Sequence, residues 1–310
     1  MIREGLLYGI ARILIGIIRR LPVRWAARLG RWGGAIAWAA AARRRRVALE
    51  NLRLAFGEEL SARERRRLAR EHFRRLGENF VCAVRTLFLP PERVPEVLEL
   101  QGAEKIQPDN PEWGPCRVMA IGHFGNFELY AKAAAWAPQF QFATTYRAFR
   151  EPSLSRLFQS IRERSGCLYF ERRTDAAKLR RAMSSQRLMI GFLSDQHAGK
   201  RGVWAPFFGR LCSTTPAPAL FALRYHAPLF PAFCFRAGLG KWRIEVGDPI
   251  PLRENGRLRT VEAVTADINR AFEEAVRRDP ANWFWVHRRW RRPPRNAKRT
   301  AAGSAESAPA

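Results

Sequence analysis

Between residues 116 and 246 the chain carries five short apolar runs: Cys116–Ile121, Cys167–Phe170, Leu188–Leu193, Leu229–Phe235 and Trp242–Val246. Runs this short look like strands rather than helices, and Cys116–Ile121 is read as a buried one. Stretches of helical period lie between or after them, at Ser153–Ser165, Asp175–Ser184, Ala217–His226 and Val261–Arg278. Short buried strands alternating with amphipathic helices predict an α/β fold, a central sheet flanked by helices.

The region before the first strand is helical and basic. Leu68, Phe73, Leu76, Phe80 and Val84 recur at spacings of three to five, Ser61 and Glu64 form a capping box, and Pro90-Pro91 ends the helix. Further upstream, the apolar run Gly5–Ile18 is interrupted by Arg12, and Trp32–Ala42 leads into Arg43–Arg46. Neither run reaches the roughly 20 apolar residues of a simple span, and no A-x-A-like cleavage site follows the first. Edged by Arg and Trp, the two suit helices that lie in, or anchor to, an anionic bilayer surface. Three segments follow: N-terminal membrane-associated helices over 1–46, a folded domain over 47–295, and an Ala/Ser-rich disordered tail over 296–310. The formal net charge of +27 calls for a polyanionic partner. Arg288, Arg289, Arg291, Arg292 and Arg295 are candidate contacts. Five scattered cysteines without a C-x-x-C pair fit buried thiols in a reducing compartment, not a disulfide framework or zinc site.

The segment Ala120-Ile121-Gly122-His123-Phe124-Gly125-Asn126-Phe127-Glu128 holds the strongest chemical signal. A buried strand runs into a turn bearing His123, and a carboxylate opens the following helix, Leu129–Trp136. Ligands of open α/β sheets bind at the carboxyl ends of strands, where this turn falls. A histidine that takes a proton from a hydroxyl needs a partner to fix its tautomer, and Glu128 is the nearest carboxylate in sequence. Gly122 and Gly125 permit the bend. No G-x-S-x-G elbow and no H-E-x-x-H metal signature occurs, so neither a serine nucleophile, a metal nor another cofactor is expected.

His123-Phe124-Gly125-Asn126-Phe127-Glu128 resembles the H-x-x-x-x-D/E motif of the bacterial lipid A biosynthesis acyltransferases, the lauroyl and myristoyl transferases, which are related to the glycerolipid acyltransferases. The resemblance covers roughly residues 5–295. It extends to Tyr146-Arg147, Arg164-Ser165-Gly166, Ser194-Asp195-Gln196, Pro206-Phe207-Phe208-Gly209 and the closing stretch Asn282–Trp290. It implies a central mixed sheet of the glycerolipid acyltransferase kind and acyl transfer from a thioester, on acyl carrier protein or coenzyme A, to a hydroxyl of a lipid A precursor. On this reading His123 is the base and Glu128 its orienting partner. Arg164, Asn126 and the backbone around Gly125 are oxyanion donors; Asp195 and Gln196 are supporting or acceptor-binding residues, beside Tyr146 and Arg147. Pro206–Gly209 shapes the substrate pocket. The implied location is the cytoplasmic face of the bacterial inner membrane.

Phe127 stands where many members carry Trp, and Pro216 and Pro218 follow Thr214-Thr215 where small residues are usual, so the acceptor stays open. Alternatives are a phosphatidylinositol mannoside, an aminolipid or a lysophospholipid. A non-catalytic basic binder of membrane or nucleic acid is the reading from another class. No nucleic-acid motif supports it, and no nucleic-acid partner is expected.

Overall fold

The computed structural model describes residues 2–106, 110, 112–148 and 151–293. The tail 296–310 and Arg295 lie outside the described residues. Four helices open the chain: α1 (Ile2–Ile18), α2 (Val23–Ala40), α3 (Ala42–Phe56) and α4 (Ala62–Leu87). The capping box is present, with Ser61 Oγ accepting from the Glu64 amide and the Glu64 carboxylate from the Ser61 amide. The basic run Arg43–Arg46 forms the first turns of α3.

A mixed seven-stranded sheet follows. Its strands are β1 (Leu98–Gln101), β2 (Arg117–Ile121), β3 (Gln141–Tyr146), β4 (Leu168–Glu171), β5 (Leu188–Leu193), β8 (Leu229–Gly238) and β9 (Lys241–Val246), in the order β1-β9-β8-β2-β5-β3-β4. Only β8 and β9 pair antiparallel. The hairpin of β6 (Val203–Phe207) and β7 (Arg210–Thr214) stands apart from it. All five apolar runs are strands. β1 and β3 escaped the sequence reading because each mixes polar or half-exposed residues with apolar ones, β1 at the sheet edge and β3 between β5 and β4. Helices α5 (Pro152–Arg162), α6 (Ala176–Ser185), α7 (Ala217–Arg224) and α8 (Val261–Arg278) occupy the expected places. The predicted helix after the His123 turn is instead a 3₁₀ helix, Phe127–Trp136.

Alternate residues of the strands serve different faces. Val118, Ala120, Ile190 and Phe192 join α6, α7 and α8 in one buried cluster, whereas Met119, Ile121, Met189 and Phe230 belong to a second.

The N-terminal helices attach through α2 on α4. Gly34 and Gly77 sit at the crossing, where a Cβ on either would run into the other helix's backbone. Glu78, fully buried on α4, accepts from Arg31 on α2 (3.2 Å), Arg236 on β8 (3.0 Å) and the Gly240 amide (2.9 Å). One carboxylate thereby ties α2, α4 and the β8–β9 turn together. The outer side of α1 and α2 is inverted relative to a water-facing helix. The buried face of α2 carries Ala26, Ala27, Gly30 and Gly34, and large side chains point outward. Ile10, Ile13, Leu14 and Ile17 on α1, with Trp25, Leu29, Trp32 and Ile36 on α2, are 45–68% exposed. Among the described residues no helix is long and apolar enough to cross a membrane.

Candidate active site

Strands β2 and β5 are parallel neighbours with Ile121 opposite Leu193, and the Ser194 amide donates to the Ile121 carbonyl at 2.9 Å. The chain leaving β2 carries His123, and the chain leaving β5 carries Asp195, so two residues far apart in sequence meet at the carboxyl edge of the sheet. His123 Nδ1 lies 2.8 Å from Asp195 Oδ1, and the His123 amide donates to Asp195 Oδ2 at 2.9 Å. Trp283, from the closing stretch after α8, donates its indole N–H to the same Oδ2 at 2.9 Å. Asp195 is buried. Burial pushes its carboxyl pKa up, but His123, through charge and two hydrogen bonds, and the nearby Arg289 guanidinium outweigh that and hold it below the ordinary value. An ionised Asp195 fixes the proton on Nδ1 and leaves Nε2 as the basic nitrogen.

Glu128, expected to orient His123, instead forms a two-pronged ion pair with Arg162 of α5, Arg162 Nε lying 3.2 Å from Oε2. At the start of the 3₁₀ helix its side chain faces α5, while the Nδ1 edge of His123 faces β5. Arg164, the expected oxyanion donor, lies two residues further on, in the turn that closes α5; its guanidinium sits 5.6 Å over the Phe88 ring, and it does not line the cavity. Arg162 lines the cavity in its stead. Helical phase was the available signal: the inward side of α5 passes through residue 162.

Gly125 has φ +59°, and a Cβ there would strike the Cys234 carbonyl. Its amide already donates to the Asn282 carbonyl at 3.1 Å, so it is not an oxyanion donor. Asn126 is buried and donates to Thr86 Oγ1 at 3.3 Å, with Oδ1 unpaired beside a small recess that also touches His123. The segment Pro206–Gly209 does not line the cavity. Phe207 and Phe208 are core residues, and Phe207 stacks on Trp290 at 5.5 Å. Arg289, a candidate surface contact, is buried. It donates to the Ser213 carbonyl (2.7 Å), Thr214 Oγ1 (2.7 Å) and the Gln196 carbonyl (3.1 Å).

A cavity of about 580 Å³ opens at this centre, within the range of small-molecule sites. His123, Glu128, Arg162, Tyr146, Arg147 and Gln196 line its polar end. His197, His287 and Arg291 also reach it. Burial, offset in part by Asp195, holds His287 down to about 4, so this imidazole beside the His123–Asp195 pair is neutral. The cavity then runs beneath the 3₁₀ helix, past Met119, Met189, Phe142 and Ala133 to Ile244 and Ile106. A polar mouth carrying the His123 imidazole, leading to an apolar tunnel, suits an acyl chain whose reactive end stays at that histidine.

The comparisons with known proteins agree. The chain matches the bacterial lipid A biosynthesis acyltransferase family over residues 4–292. It is 26% identical over 284 residues to the lipid A biosynthesis palmitoleoyltransferase of Escherichia coli K12, covering 89% of this chain and 88% of that one. It is 25% identical to the lipid A biosynthesis lauroyltransferase of the same organism, covering 91% and 90%. A phosphatidylinositol mannoside acyltransferase of Mycolicibacterium smegmatis is 26% identical over 179 residues, 56% of each chain. With nearly its whole length matched and a histidine–carboxylate centre at the mouth of an apolar tunnel, the chain belongs to the bacterial lipid A biosynthesis acyltransferase family and is an acyltransferase.

Proposed function

We propose that the enzyme transfers a fatty acyl group from a thioester, carried on acyl carrier protein, to a hydroxyl of a lipid A precursor at the cytoplasmic face of the inner membrane. The observation that carries this reading is the His123–Asp195 pair at the head of the apolar tunnel. His123 Nε2 takes the proton of the acceptor hydroxyl as that oxygen bonds to the thioester carbonyl carbon. Asp195 stabilises the imidazolium. Arg162, held by Glu128, supplies positive charge where the carbonyl oxygen becomes anionic. As the tetrahedral intermediate collapses the C–S bond breaks, and the imidazolium returns the proton to the departing thiolate. The products are an ester and a free thiol.

The outward stripe on α1 and α2 supports docking on an anionic bilayer. Eight large apolar residues enter the interface, and the exposed Arg19, Arg20, Arg24 and Arg28 flank them. Each arginine near such a surface adds about 1 kcal/mol. The excess of basic residues also suits an acidic carrier protein.

The test is mass spectrometry of lipid A from cells that lack a late acyltransferase and express this chain. A new acyl group with the native chain, missing with His123→Ala and with Asp195→Asn, is the expected result. Unchanged lipid A from folded, membrane-bound protein sinks the acceptor assignment and turns attention to other lipid hydroxyls, the mannoside among them.

A further inference from the structure

The sheet has a second chamber on its opposite side. It encloses about 460 Å³ between α6, α7 and the carboxyl ends of β4 and β5. Leu179, Phe192 and Phe221 give it an apolar floor, Leu220 stands at its exposed rim, and Arg172, Arg180 and Arg224 stand around it. Among the described residues none of these three arginines has an ion-pair partner. The acids in its wall are already engaged. Glu171 accepts from the Arg173 and Thr174 amides at 2.6 and 3.0 Å, and Asp175 from the Glu171 amide at 2.9 Å and from Lys178 at 3.1 Å. Glu171 keeps its charge, but one such carboxylate against three arginines leaves the wall cationic on balance. Leu193 and Thr215 line both this chamber and the catalytic cavity, as does Arg172. The two spaces share a wall over the edge of the sheet that carries His123.

An apolar floor beneath a ring of free arginines fits an anionic amphiphile: an acyl chain below, a phosphate above. The donor chain already has a tunnel under the 3₁₀ helix. We propose that the second chamber holds an acyl chain already present on the acceptor, with an acceptor phosphate among Arg172, Arg180 and Arg224. This rests on the acyl-transfer reading above and extends it to how the acceptor is recognised. The enzyme thereby reads the acylation state of its acceptor before adding a further chain.

Ala176 and Leu220 offer a test because both line the chamber and are solvent-exposed, so a tryptophan fills it without replacing a core side chain. KM is measured at saturating acyl-thioester for two acceptors: an acylated, phosphorylated glucosamine disaccharide, and the same molecule stripped of its ester-linked chains. Ala176→Trp and Leu220→Trp are each expected to raise KM for the acylated acceptor about tenfold relative to KM for the stripped one. Equal changes for both acceptors, or no change, overturn the proposal. Adding phosphatidylglycerol separates the other source of such a ligand. If it competes with the acceptor in the native enzyme and no longer does so in Ala176→Trp, the chamber binds bulk phospholipid and the assignment to the acceptor fails. Wild-type turnover is the control: absent on both acceptors, it defeats the acyl-transfer reading itself, whereas turnover with an unmoved KM ratio defeats only the chamber.

Discussion

At the scale of single residues, the two carboxylates near His123 have separable duties. Asp195 touches the imidazole, and Glu128 touches Arg162. Asp195→Asn is expected to lower kcat about a thousandfold or more, since an amide no longer fixes the tautomer or balances the imidazolium. Steady-state kinetics with an acyl-thioester donor measure it. Glu128→Gln is expected to cost less and to couple with Arg162→Gln in a double-mutant cycle. Coupling with His123 instead would restore Glu128 as the imidazole's partner. His123 was legible because a histidine between glycines at a strand end has few other reasons to be there. The identity of its partner was not. Proximity in sequence favoured Glu128, whereas the pairing of β2 with β5, which local sequence does not encode, brings in Asp195. A further prediction concerns acid. His72 is buried on α4, and burial holds its imidazole down to about 4 from an ordinary 6.5. The unfolded chain then binds a proton that the folded one refuses between those values, so stability present above pH 6.5 falls as pH drops toward 4. For one such group the loss is on the order of 3 kcal/mol. Thermal melts from pH 7 to 4 should show it, with a shallower slope for His72→Gln.

At the scale of elements, Glu78 decides how the N-terminal helices are held. Its buried carboxylate faces Arg31 and Arg236. Glu78→Ala leaves two guanidinium groups without their common partner, and should cost about 3–5 kcal/mol in urea unfolding. A loss below about 1 kcal/mol would show that the Gly34–Gly77 crossing and the Arg31–Glu71 ion pair suffice to hold α2 to α4. The helices with strong apolar period, α4 and α8, could be read from the sequence almost to the residue, and so could the wholly buried β5. Elements of mixed exposure could not. β3 mixes exposed and buried positions, and the hairpin β6–β7 draws its apolar partners from the distant Trp283 and Trp290. Those long-range ring contacts also explain why Phe207 and Phe208, expected to help shape the pocket, are core, with Pro206 and Gly209 exposed beside them.

At the scale of the whole molecule, charge and hydrophobicity act together. The +27 net charge alone would bind any polyanion; on the docking proposal, the outward stripe of α1 and α2 would select an interface with an apolar interior. Co-sedimentation should show strong binding to vesicles containing phosphatidylglycerol and weaker binding to phosphatidylcholine alone. Trp32→Glu combined with Ile36→Glu should release the protein from both while leaving its unfolding transition in place, since both side chains point away from α4. Retained binding in that variant would move the contact to the arginines alone.

The linkage of Asp195 to both His123 and Trp283 carries a consequence for synthesis. A ribosome delivers His123 first, Asp195 later, and Trp283 only near the end of the chain. A nascent polypeptide lacks the complete His123–Asp195–Trp283 cluster until Trp283 has emerged, so a copy stalled after Asp195 leaves that carboxylate without its indole donor.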